Sequence, residues 1–197
     1  KSTRFTQTYS RRGLILMPSL LESVTNFQEV KYKKIQRSAE TYQAVQEWAI
    51  DEITRNVANY HKYTGKLVYK KRLFRDSIDF PLRRYHEYCL QQKDGAHYIQ
   101  NGLEEKGVFE HMVPLSTIRD MILAGAITPI QGCNMPTCQI SKANDKLLRL
   151  NGLASSTPDI YNFWERYNRC FNATFTTNDG NSKIPSNLEQ HFAYFLG

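Results

Sequence analysis

Between Ser38 and Tyr63 the apolar residues Tyr42, Val45, Trp48, Ala49, Ile53, Val57 and Tyr60 recur every three or four positions. That spacing lines one face of a long helix, and Gly65 is placed to stop it. The next stretch, LVYKKRLF at 67–74, is rich in strand formers yet strongly basic, and it reads as an exposed edge or arm. Pro81 suits the first turn of a helix carrying Leu82, Tyr85, Tyr88 and Cys89 and ended by the Asp94-Gly95 turn. Residues 107–113, GVFEHMV, are a short strand. Ser116 can then cap a helix through Ile118, Met121, Ile122 and Leu123 that Gly125 terminates. TPIQGCNMPTCQI is a loop leading into a second strand. Ser141 opens a further helix through Leu147, Leu148 and Leu150 to Asn151-Gly152. Two more helices follow, one from Pro158 with Ile160, Phe163, Trp164, Tyr167 and Phe171, the other after Ser186 with Leu188, Phe192 and Phe195. The first 30 residues show no sustained period.

The resulting expectation is an α+β fold, mostly helical, with one small strand pair. It divides into a basic helical region at 1–106, a strand-strand-helix module at 107–152, and carboxy-terminal helices at 153–197 that pack on the same core. Hydrophobic residues make up 41% and charged residues 23% of the 197 residues, a mixture that supports a packed core rather than disorder. The apolar run LILMPSLL is too short for a membrane span and is broken by Pro18, so no membrane partner is expected. The four cysteines, at 89, 133, 138 and 170, fit reduced thiols and an intracellular setting, cytoplasmic or nucleoid-associated. The spacing of Cys133 and Cys138 disfavours structural zinc.

Charge changes the picture more than its total. Residues 1–100 hold 18 Lys plus Arg against 10 Asp plus Glu, and residues 101–197 hold 8 against 9. The excess interleaves with aromatics in KYKK, YKKRLFR and RRYHEY, which nominates Lys33, Lys34, Lys70, Lys71, Arg72, Arg83 and Arg84 as contacts to a phosphate backbone. His86, within RRYHEY, is expected on the helix surface.

The two half-motifs FEHMVPLS (109–116) and CQISKANDKLL (138–148) carry the candidate chemistry. Together they resemble the HNH, or His-Me finger, nucleases, in which a strand ends in Asp-His or Glu-His and a second strand feeds a helix. EHMVPLS is similar to the DHIVPQS signature of the HNH domain of CRISPR effector nucleases. The resemblance covers about residues 107–150. It implies a ββα-metal module that hydrolyses DNA phosphodiester bonds, with His111 as general base, Asn134 orienting it, and Glu110, Asn144 and Asp145 holding Mg2+ or Mn2+. Alignment on the hydroxyl brings Lys146 to the last motif position, a departure from the family. RNA is the alternative substrate and a homodimer would suit double-strand cutting. A non-catalytic nucleic-acid-binding protein is the competing reading, and an interaction protein meeting an acidic partner is a third.

Overall fold

The computed structural model describes residues 38–63, 68–88, 90 and 95–197. The described residues all belong to one compact unit, Arg37–Gly197. Tyr32, Lys33, Lys34, Gly65, Cys89 and Asp94 lie outside them.

Helix α1 (Ala39–Lys62) begins where the Ser38 side chain accepts a hydrogen bond from the Thr41 amide, and it turns Tyr42, Ala49 and Ile53 into the core. Trp48, on the edge of the same stripe, stays 41% exposed and meets Phe80 edge-on. Residues Val68–Asp76 form helix α2 rather than a strand or arm. Its lysines and arginines are good helix formers, and α2 lies against α1, with Phe74 stacked on Tyr63 and the Lys71 ammonium over the Tyr60 ring. Tertiary packing thus overrides the strand preference of the aromatic and branched residues. Helix α3 (Asp79–Tyr88) carries Pro81 near its start, where a missing N–H costs nothing, and buries Leu82, Tyr85 and His86.

The sheet has four strands in the order β2-β3-β1-β4. The expected pair is present: β2 (Val108–His111) runs antiparallel to β3 (Thr137–Ile140), with Glu110 opposite Cys138 and His111 opposite Thr137. Two strands of three residues each were not foreseen. β1 (Tyr98–Gln100) pairs parallel with β3, and β4 (Phe175–Thr177) pairs antiparallel with β1. Among the described residues β2 is therefore an edge strand of the sheet.

Between the paired strands lie α4 (Leu115–Leu123) and α5 (Pro129–Cys133). Pro114, not Ser116, occupies the cap position of α4, because its fixed φ already sets the entry. Gly132 lets α5 approach α4 closely; a Cβ there would lie 2.4 Å from Ile122 Cδ1. Helix α6 (Lys142–Leu150) starts as expected, with Ser141 accepting from the Asn144 amide. The helix expected from Pro158 is instead a turn followed by the single-turn α7 (Glu165–Asn168). The Asp159 carboxylate accepts from the backbone amides of Tyr161 and Asn162 and from the Asn162 side chain, which offers the backbone an alternative to the helical ladder. Helix α8 (Leu188–Phe195) closes the fold under an Asn187 cap.

One core joins these elements. Ile53 of α1, Leu82 of α3, Tyr98 of β1, Ile118 of α4, Ile140 of β3, Leu148 of α6 and Phe163 are each fully buried within it. Burial of such side chains contributes about 1.5–3 kcal/mol apiece. The fold is α+β and mostly helical. Among the described residues no helix is long and apolar enough to cross a membrane.

Candidate active site

The strand end that carries Glu110 and His111 is shaped by Arg166, which arrives from α7. Its guanidinium is completely buried, and all of its N–H groups are directed at acceptors. Nε donates to Leu153 O at 2.6 Å, and Nη1 donates to His111 O at 2.6 Å and to Met112 O at 3.3 Å. Nη2 donates to Ala154 O at 2.9 Å and to Glu110 Oε1 at 2.5 Å. Arg166 thus ties the end of β2 to the segment after α6. No spacing in the sequence points to it, because its partners lie 12 to 56 positions away.

Side chains alternate along β2 as the pleat requires. His111 faces α3, where its ring lies 5.0 Å from that of His86 and 5.2 Å from Phe109 on its own strand. Glu110 faces Arg166, and the charge of Asp145 on α6 also acts on it. Both residues nevertheless line one cavity of about 590 Å³, together with Asp79, Arg83, Glu87, Pro114, Ser116 and Ser155. Adjacent residues on opposite faces can share a cavity because β2 is an edge strand that ends there.

Electrostatics divide the two. Burial, reinforced by the charges of His86, Arg83 and Arg166, lowers the His111 pKa well below its ordinary value, so the ring is neutral at physiological pH. Burial raises the Glu110 pKa, and the Arg166 guanidinium only partly offsets that effect. Asp145 adds to the rise, as expected of two carboxylates brought near each other. Their side chains are similarly sheltered, 19% exposed for Glu110 and 16% for Asp145.

The remaining expected site residues separate. Asn144 turns away from the cavity and donates through Nδ2 to Gln100 Oε1 at 2.8 Å. Asn134 does not orient His111. Its Oδ1 accepts from the Tyr85 hydroxyl at 3.4 Å and its Nδ2 donates to Ile130 O at 2.9 Å. Lys146 is exposed, and Asp145 acts on Glu110 through its charge but does not line the cavity. His86 is fully buried rather than on the helix surface; it follows Leu82 by one helical turn, a spacing that could have placed it inside.

The donor set fits a divalent cation of the hard type only in part. Of the two carboxylates nominated to hold it, Glu110 lines the cavity and Asp145 does not, and water would have to complete the shell. Arg166 and Arg149 already neutralise them, Arg149 at 3.0 Å from Asp145. Among the described residues no group of three or more His, Cys, Asp or Glu is gathered to hold a metal ion. Cys138 and Cys170 are free thiols.

Of the basic candidates, Arg83 lines the cavity, while Lys70, Arg72 and Arg84 are exposed and Lys71 is half-buried. Several are partly neutralised: Arg84 pairs with Glu87 at 2.7 Å and Arg72 with Asp76 at 3.6 Å. Lys70 lies over the Tyr63 ring, and Tyr69 beside it is 72% exposed. Compared with protein-family models, curated proteins and solved structures, the chain finds no significant match in any of the three.

Proposed function

We propose that the chain is an endonuclease that hydrolyses phosphodiester bonds in DNA, with His111 as the general base. One observation carries the reading: a neutral histidine at the end of the edge strand of a strand-strand-helix unit lines a cavity with an adjacent glutamate and an exposed arginine. Neutral His111 takes the proton of a water positioned in the cavity, and that water attacks the phosphorus. Arg83 draws the phosphate in and balances its charge. Glu110 and Asp145 are the residues that would hold Mg2+ or Mn2+, and the bound ion would supply charge stabilisation at the phosphate and at the departing oxygen. Exposed Lys70, Arg72 and Arg84 extend the contact along the duplex backbone. Free thiols at Cys138 and Cys170 suit the reducing interior of a cell, and two copies would cut both strands.

The test is incubation of supercoiled plasmid with the purified protein in Mg2+, Mn2+ or EDTA, beside His111→Ala. Metal-dependent nicking lost in His111→Ala supports the enzyme. A second reading is favoured by the Glu110–Arg166 pair, which already satisfies the carboxylate and serves as a structural strut. On that reading the chain is a basic nucleic-acid-binding protein without cleavage, and a gel shift that weakens steeply with salt would accompany an intact plasmid.

A further inference from the structure

His86 is completely buried on α3, and its Nε2 lies 3.1 Å from the carbonyl oxygen of Gly132. A carbonyl can only accept, so Nε2 carries the proton and the neutral ring presents a bare lone pair at Nδ1. Among the described residues that nitrogen is buried and has no hydrogen-bond partner. The facing ring of His111 has the complementary defect: its Nε2 is also buried and without a partner. The ring centroids are 5.0 Å apart and the planes are tilted by 47°. His191 shows the ordinary outcome in the same core, with Nε2 donating to Asn134 O at 2.8 Å and Nδ1 accepting from the Tyr98 hydroxyl at 2.8 Å. Two unsatisfied nitrogens side by side are costly unless each answers the other.

We infer that His86 is a positioning residue for His111: its Nδ1 accepts a hydrogen bond from His111 Nε2–H after a small rotation of either ring. The proton on Nε2 then leaves Nδ1 of His111 as the bare nitrogen available to the cavity. The Gly132 carbonyl thus fixes the tautomer of His86, and His86 fixes that of His111. Gly132 sits where α5 is pressed against α4, and a Cβ there would collide with the Ile122 side chain. The role of His111 as base rests on the proposed nuclease activity; the pairing of the two rings does not.

The experiment uses the full chain with 15N-labelled histidine side chains at pH 7.5. A coupling across the hydrogen bond between His111 Nε2 and His86 Nδ1 is expected, with both rings protonated at Nε2. His86→Leu should remove the coupling and release the His111 N–H to fast solvent exchange. His86→Asn, whose amide oxygen replaces Nδ1 as acceptor, should keep the exchange slow. Plasmid nicking should fall about 10–100-fold in His86→Leu and recover in His86→Asn, the range for loss of a residue that orients an active group. A His111 ring protonated at Nδ1, or a wild-type protein with no coupling and a fast-exchanging N–H, overturns the inference even if the enzyme cuts. A coupling in a protein that cuts nothing upholds the pair and removes the nuclease reading instead. Should His86→Leu fail to fold, the wild-type coupling and His86→Asn still decide.

Discussion

Arg166 concentrates more polar contacts than any other side chain around the site, and its removal should be the most damaging single change there. Arg166→Met leaves the half-buried Glu110 carboxylate without its cation and strips hydrogen bonds from the carbonyls of His111, Leu153 and Ala154. Breaking a buried pair from one side costs about 3–5 kcal/mol, because the surviving charge is uncompensated. Urea unfolding should show that loss, and the double variant Arg166→Met with Glu110→Gln should recover part of it. At the same scale Asp145 and Asn144 make opposite predictions about the cation. Asp145→Ala should reduce Mg2+-dependent nicking at least tenfold, whereas Asn144→Ala, which cuts only the link to Gln100, should leave it within about threefold. Equal effects of the two would place the carboxylate of Asp145 outside the chemistry.

At the scale of elements, the junction from β3 into α6 holds Asp145 in place. Ser141 caps the helix by accepting from the Asn144 amide at 3.2 Å, while its own amide donates to Gln100 Oε1 at 3.0 Å. Ser141→Ala should cost about 1 kcal/mol, read as a lower thermal midpoint, since the backbone link to Gln100 survives. The elements of this junction are plain in the sequence: Ser, then Asn and Asp in the first turn, then a leucine stripe. Strand β1, which supplies Gln100, is not. It has three residues, too few for a period of two to be distinguished from chance, and its partner lies about 40 positions away. Helix α2 was hidden for the opposite reason, since its aromatic and branched residues imitate a strand until α1 is there to receive them.

For the whole molecule the buried histidines govern acid stability. Burial lowers His86 and His191 to about 4, against about 6.5 in the unfolded chain. Because the unfolded state binds the protons first, stability falls as pH drops from about 6.5 toward 4 and levels off below. By pH 5 each ring should remove on the order of 2 kcal/mol relative to pH 7.5. Glu110 and Asp79, both raised by burial, act in the opposite sense as they take up protons. Urea midpoints at pH 7.5 and 5.0 check the net sign, which the histidines set. The basic surface makes a separate prediction. Replacing Lys70, Arg72 and Arg84 together by Ala should lower the magnitude of the log-affinity against log-salt slope for duplex DNA by up to about 2.7 if all three meet phosphates, and an unchanged slope would remove them from the interface.

By itself the sequence determined what local physics can encode: the α1 stripe, the α3 and α6 starts, the β2–β3 pair, and the adjacency of Glu110 to His111 at a proline-terminated strand end. Those features depend on residues within a few positions of one another, where periodicity, caps and breakers act. The tertiary structure alone decided the rest. It brought His86 and Arg166 to the strand end from 25 positions before and 55 after, turned Asn134 and Asn144 to other partners, and let the charge of Asp145 act on Glu110. Such pairings depend on which elements pack together, and burial then fixes the charge states of Glu110 and His111. The same side chains in an extended chain would keep their ordinary ionisation, so the character of the site belongs to the packing.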